Sequence, residues 1–308
     1  MMKLEFRAMG SRMLAAVEAD SAAAQRALQR VPVWFEAWEQ ALSRFRPDSE
    51  LSQLNRRTGQ PVAVSQTLWD VFQAARQAER FTGGLVTPTI LDALTAAGYD
   101  RSFELIAPPG SALAWSLAGV PEPAGVIGWD EATRTLVLPP SVHLDLGGIA
   151  KGWAAARAAA RLSRYGACLV DAGGDIAVGR RRPGGEPWPV GVNDPFRPGT
   201  NLEVLELQHR GVATSGKDYH RWLRDGVWVH HIIDPRTGLP AMTDILTATV
   251  VAPTAVEAEA AAKAVLILGS REGMDWLDAD PALAGLLVRE DGTRLDSARM
   301  GQYLWRPR

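Results

Sequence analysis

Apolar positions at Leu28, Val31, Phe35, Trp38 and Leu42 recur every three or four residues through SAAAQRALQRVPVWFEAWEQALSRF. That spacing predicts a helix, with Ser21 as its N-cap. SQTLWDVFQAARQAERFTGG repeats the pattern, with Ser65 as cap and Gly83 and Gly84 as the stop. Between the two, RPDSELSQLNRRTGQPVAVS is turn-rich and leads into a short strand. Residues 108–128 read as a loop-rich excursion of prolines and glycines. Alternation in TRTLVLPPSVHLDL predicts strands, and a helix follows from about Ile149 to Leu162.

The second half is mostly strand: CLVDAGGDIAVGR, PWPVGV, LEVLELQ, GVATSG, VWVHHIID and ILTATVVAP. AEAAAKAVLILG, residues 258–269, then reads as a helix, and AGLLVRE as a late strand. Sheets with helices packed on them are implied, without a regular βαβ repeat. No linker marks an internal boundary, so residues 1–308 are expected to act as one domain.

Composition changes the picture mainly by exclusion. A formal charge of -2 announces no basic face for nucleic acid. The one cysteine, Cys168, excludes an intrachain disulfide framework and reads as a small buried hydrophobe. No stretch approaches the roughly 20 apolar residues of a membrane helix. The first residues show neither a signal-peptide core nor a cysteine for lipid attachment, so the chain as given is expected in the cytoplasm. An exported or membrane-associated acceptor remains compatible with that.

Candidate chemistry gathers at glycine pairs and at the few lysines. Only four of the 33 basic residues are lysines: Lys3, Lys151, Lys217 and Lys263. DLGGIAKGW sets Gly147, Gly148 and Lys151 at a helix entry, where free N–H groups favour an anion. It is not a Walker A loop, lacking both the spacing and the hydroxyl residue after lysine. DAGGDIAVG offers Gly173, Gly174 and Asp175 either as hairpin-turn chemistry or as a second close backbone approach to a ligand. GVATSGKDYH crowds Thr214, Ser215, Lys217, Asp218, Tyr219 and His220 after a strand, and HHIIDPRTGLP supplies His230 and His231. A strand would turn one histidine of that pair toward each face. Ser-x-x-Lys and Gly-x-Ser-x-Gly are both absent, which argues against a serine acyl-enzyme.

Taken in order, FRAMGSRM, LSRFRPDSELSQLN, DLGGIAKGW, DAGGDIAVG, VATSGKDY, HIIDPRTGLP and the helix at Glu259 resemble the ApbE family of FAD:protein FMN transferases. The resemblance implies an α+β fold of antiparallel sheets with helices packed outside and an FAD cleft. It also implies a reaction: FAD is split at its pyrophosphate, FMN passes to a Thr or Ser of an acceptor protein, and AMP leaves, with Mg²⁺ at the site. The alternative is a relative that binds or hydrolyses FAD without efficient transfer to protein.

By the same resemblance, Met9, Phe45, Ala97, Gly98, Tyr99, Asp145, Lys151 and Ile232 surround FAD. Asn55, Thr214, Ser215 and Asp218 match motif positions expected to line the same pocket, beside Gly173, Gly174 and Asp175. Lys151 is the expected phosphate contact, and His231 the general base, oriented by Asp234. The metal is expected at the Gly148 carbonyl and at two side chains one helical turn apart, an acid and a threonine. Here those positions are Glu259 and Lys263, with Ala262 at the position of an optional second acid. A protonated lysine cannot ligate Mg²⁺. Either Lys263 turns aside and Glu259 with Gly148 holds the metal through waters, or its ammonium takes the metal's place.

Overall fold

Non-alternating segments such as ILTATVVAP are strands buried on both faces, which need no polar side. The computed structural model describes residues 1–101, 119–218, 221–224 and 227–306. Its contacts divide the chain into two compact units, each described by itself. The first comprises Met1–Glu36, Lys151–Gly216 and Thr243–Arg308; the second, Ala37–Ala150 and Lys217–Met242. Both are assembled from separated stretches of chain, so no linker composition marks a boundary.

The first unit is built on an eight-stranded sheet: β1 (Met2–Ala8), β2 (Ser11–Glu18), β3 (Ala167–Ala172), β4 (Asp175–Val178), β5 (Gly211–Gly216), β6 (Ile245–Ala252), β7 (Ala284–Arg289) and β8 (Arg294–Asp296). Neighbours in that order pair antiparallel throughout. A hairpin of Trp188–Asn193 and Asn201–Leu207 covers one face, burying Trp188, Val190, Val192, Leu205 and Leu207 against Leu169, Ile176, Val212, Val251 and Leu286. The helix Ala255–Leu268 packs on β5 and β6. Thr254 and Glu257 close a capping box at its start, and nearly every side chain behind them is buried. In the helix Ala150–Leu162, the carbonyl of Ala159 accepts from the buried Cys168 thiol at 3.2 Å. Burial pushes that thiol's pKa up, as fits a packing residue.

The second unit contains the helices Glu50–Asn55, Gln66–Phe81 and Leu91–Ala96, and a three-stranded sheet of Pro61–Ala63, Thr135–Val137 and Gly128–Asp130. Two hairpins, Arg221–Arg224 with Val227–His230 and Ile233–Asp234 with Leu239–Pro240, complete it. Among the described residues, no helix is long and apolar enough to cross a membrane.

Ser21 and Ser65 cap helices as expected, accepting from Ala24 and Leu68 N–H. Elsewhere the pattern misled. The first helix divides at Arg30 into Ala22–Gln29 and Val31–Leu42, because Pro32 has no N–H to continue the ladder. The turn-rich stretch contains the helix Glu50–Asn55, started by the Ser49 side chain. In TRTLVLPPSVHLDL only Thr135–Val137 is strand, since Pro139 and Pro140 end the pairing. VWVHHIID is interrupted at His231 and Ile232. Of the excursion at 108–128, residues up to 118 lie outside the described residues, as do Tyr219 and His220.

Candidate functional site

Four charged side chains meet in the first unit, delivered by two helices and one strand. Lys151 stands in the first turn of the helix Ala150–Leu162, and Asp175 opens β4 just after the glycine pair. Glu259 and Lys263 sit one turn apart on the helix Ala255–Leu268. The Lys151 ammonium donates to Asp175 Oδ2 and lies 4.0 Å from Glu259 Oε1. Lys263 Nζ donates to the same Oε1 at 3.1 Å, while Gly152 N–H donates to Oε2 at 2.8 Å. Both acids are buried, Glu259 at 0% exposure and Asp175 at 2%, whereas Lys151 and Lys263 keep 26% and 18% of their side chains exposed.

Burial opposes the charge on Lys151, yet Asp175 and Glu259 beside it hold the ammonium above the usual lysine range. Burial and the Glu259 charge push Asp175 up, against the pull of the two lysines. Asp171, whose Oδ1 accepts from Gly174 N–H at 2.7 Å, is also raised by burial.

This donor set does not fit a divalent metal. Mg²⁺ demands several oxygens in a tight octahedron. Oε2 of Glu259 is engaged by a backbone N–H, Oε1 faces two ammoniums, and Lys263 offers only donors. One unit charge repels another at 4 Å by roughly 4 kcal/mol at an effective dielectric of 20, and a dication on Oε1 would meet two. Among the described residues, no group of three or more His, Cys, Asp or Glu is placed to hold a metal ion. Gly148, the third expected ligand, belongs to the second unit.

A second cluster, within the second unit, is aromatic. Phe45 and Tyr99 meet edge to face at 5.6 Å, Tyr99 stacks on Trp222 at 5.7 Å, and the His231 ring meets Tyr99 edge-on at 6.1 Å. The Arg44 guanidinium lies 4.1 Å from the centre of Phe45 and 4.6 Å from that of Tyr99. Its Nε pairs with Asp145 Oδ2 at 2.5 Å, and its buried Nη2 has no hydrogen-bond partner among the described residues. Gly147 N–H donates to the other Asp145 oxygen, at 2.7 Å. The Asn55 amide grips Leu144 on both sides, donating to its carbonyl and accepting from its N–H, each at 2.8 Å, and so fixes the residue before Asp145. Ala97 accepts from Trp222 Nε1 at 3.2 Å, and Gly98 turns with φ +95°.

Phe45, Ala97, Tyr99, Asp145 and His231 are thus brought together within the second unit. Arg44 and Trp222 were not anticipated, although Arg44 directly precedes Phe45. His230 is buried and satisfied: Nε2 donates to the Ala241 carbonyl at 3.0 Å, and Nδ1 accepts from Ile232 N–H at 3.3 Å, partners that assign the neutral tautomer. Asp234 holds Arg236 through both carboxylate oxygens, and its carbonyl accepts from Thr237 and Gly238 N–H, so its visible work is to shape the turn after the histidines. Ile232 is buried and Asp218 half-buried.

Four N–H groups of the helix entry are already engaged within the chain. Gly147 and Gly152 give theirs to the protein's own carboxylates, and Ile149 and Ala150 give theirs to the Leu146 carbonyl. Gly173 likewise serves the chain itself: a Cβ there would stand 2.6 Å from Ser11, whereas Gly174 faces open space. Met9 occupies a left-handed turn at φ 47° between β1 and β2. Thr214 is exposed and shares a hydroxyl contact of 2.8 Å with Thr249, beside the buried Ser215.

Known proteins resemble the chain over nearly its full length. The sequence model described as the ApbE family matches residues 9–287. A Treponema pallidum protein named FAD:protein FMN transferase is 33% identical over 86% of this chain and 77% of its own. A Salmonella typhimurium protein of the same name is 27% identical over 94% and 84%. In fold, the crystal structure of the ApbE protein from Thermotoga maritima superposes with a TM-score of 0.84 at 23% identity, covering 99% of both chains. The apo flavinyl transferase ApbE of Pseudomonas stutzeri gives 0.82 at 21%, over 100% of this chain and 98% of that one.

Proposed function

The chain belongs to the ApbE family, and from that premise we propose that it is an FAD:protein FMN transferase. It cleaves the FAD pyrophosphate, moves FMN to a Thr or Ser hydroxyl of an acceptor protein and releases AMP. The observation that carries this reading is the family match over residues 9–287.

The acceptor oxygen attacks the FMN phosphorus, the bond to the bridging oxygen breaks, and that oxygen leaves on AMP. Its hydroxyl proton goes to a ring nitrogen of His231, the general base. Lys151, fixed by Asp175, offsets charge on the phosphoryl oxygens. Met9, Asn55, Gly98, Gly173, Gly174, Thr214, Ser215, Asp218 and Ile232 are assigned to binding or shaping the FAD site, with Phe45, Ala97, Tyr99 and Asp145. Asp234 positions His231 through the turn it builds. No step is routed through Mg²⁺, because Glu259 and Lys263 do not make a metal-binding set.

The test is AMP release from FAD in an extract of the source organism, with the purified chain added. His231→Ala is expected to lower the rate by about 100-fold or more, the usual scale for losing a general base, while FAD affinity stays within a few fold. Equal loss of affinity and rate would assign His231 to binding. An unchanged rate would remove it from the mechanism.

A further inference from the structure

We propose that Lys151 and Lys263 form a resident ammonium pair that binds the FAD pyrophosphate without a divalent metal. The proposal rests on the transferase reading and concerns residues of the first unit only.

The two ammoniums share one anchor, Glu259 Oε1, at 4.0 and 3.1 Å, and Asp175 fixes Lys151 from a second side. The anchoring acids Glu259 and Asp175 are buried and the cations partly exposed, so both ammoniums are accessible, with the half-buried Asp171 also near Lys151. Each ammonium carries three N–H donors, more than these contacts use; among the described residues, Lys263 otherwise bonds only the Glu259 carbonyl, at 3.5 Å. Two neighbouring phosphoryl groups are the natural acceptors for two fixed ammoniums with spare donors. Glu259 is itself locked by Gly152 N–H, so the cations sit on a rigid base. In this chain the lysine at the family's threonine position therefore replaces the metal ion instead of crippling its site.

The probes are Mn²⁺, inorganic pyrophosphate and FAD, each with the full-length chain. In EDTA, calorimetry should show pyrophosphate binding that Lys263→Met weakens at least tenfold and Lys263→Arg largely retains, with both variants checked for folding by circular dichroism. FAD affinity should change less than about twofold between EDTA and Mg²⁺, and electron paramagnetic resonance should show no tight Mn²⁺ site. Ala262→Asp combined with Lys263→Thr should create Mn²⁺ binding and make FAD affinity metal-dependent. Tight Mn²⁺ binding by the unaltered chain, or FAD binding that needs Mg²⁺, would overturn the ammonium pair and leave the transferase reading intact. Absent pyrophosphate binding, or binding indifferent to Lys263→Met, would also overturn it. If Lys263→Met does not fold, the unaltered chain's metal response and Lys263→Arg still decide. FAD that binds under neither condition would sink both readings.

Discussion

A Cβ on Gly152 would stand 2.6 Å from the Ala255 carbonyl oxygen and 2.9 Å from Glu259 Oε2, so this glycine sets how closely two helices approach and lets a backbone N–H reach a buried carboxylate. Gly152→Ala is expected to destabilise by about 1–3 kcal/mol, the usual cost of overpacking, measured by urea unfolding. A cost under about 0.5 kcal/mol would show that the helices part easily. The position was not legible in the sequence. Gly147 and Gly148 drew attention as a pair, whereas a lone glycine after a lysine carries no periodic or turn signal. Arg44 was missed for a related reason, since an arginine beside an aromatic is ordinary on a surface and only burial reveals its orphaned donor. Arg44→Met keeps volume and removes that donor and the Asp145 pair. It should weaken FAD binding by roughly tenfold, the scale of one charge-assisted hydrogen bond, as read by calorimetry. The histidine pair was half legible: the sequence called for two different faces, and the structure fills both hydrogen-bonding positions of His230. His230→Ala should therefore lower the melting temperature while leaving kcat within a few fold.

Strands and helices separate cleanly in how they were read. The caps at Ser21 and Ser65 and most strands of the second half follow from local pattern, and the helix read at residues 258–269 runs Ala255–Leu268. The break at Arg30 and the helix Glu50–Asn55 depend on a single proline and a single cap, which a window of hydrophobic positions averages away. The helix Ser270–Ala279 shows a third local device. Asp244 accepts from Ser270 N–H at 2.9 Å and from its hydroxyl at 2.5 Å, and pairs with Arg289 at 2.9 Å. Partial burial would raise this carboxyl, but the Ser270 bonds and Arg289 outweigh it and hold it below the usual range. A depressed carboxyl contributes stability that is present above its unfolded pKa, near 3.9, and disappears as pH falls through the folded value. Asp244→Asn should then cost about 1 kcal/mol at neutral pH, as for a lost helix cap, and the gap to the unaltered chain should close as pH drops below about 4. A gap constant with pH would mean that shape and not charge holds that helix.

At the scale of the whole molecule, each compact unit is assembled from stretches far apart in sequence. Spacing made sheets with helices packed on them legible, and the family resemblance supplied the α+β class; the two units were not legible, because long-range pairing such as β2 with β3 leaves no local signature. The motifs, by contrast, were legible in order along the chain, and the resemblance they carry agrees with the family match over residues 9–287. If the chain binds FAD only when folded, saturating FAD should raise its melting temperature by several degrees through mass action. The most direct measurement of the central claim is mass spectrometry of an extract from the source organism lacking this gene, incubated with FAD and the purified chain. The account predicts a peptide carrying one FMN on a Thr or Ser, AMP in equal amount, and neither product with His231→Ala. AMP and free FMN without any modified peptide would contradict it.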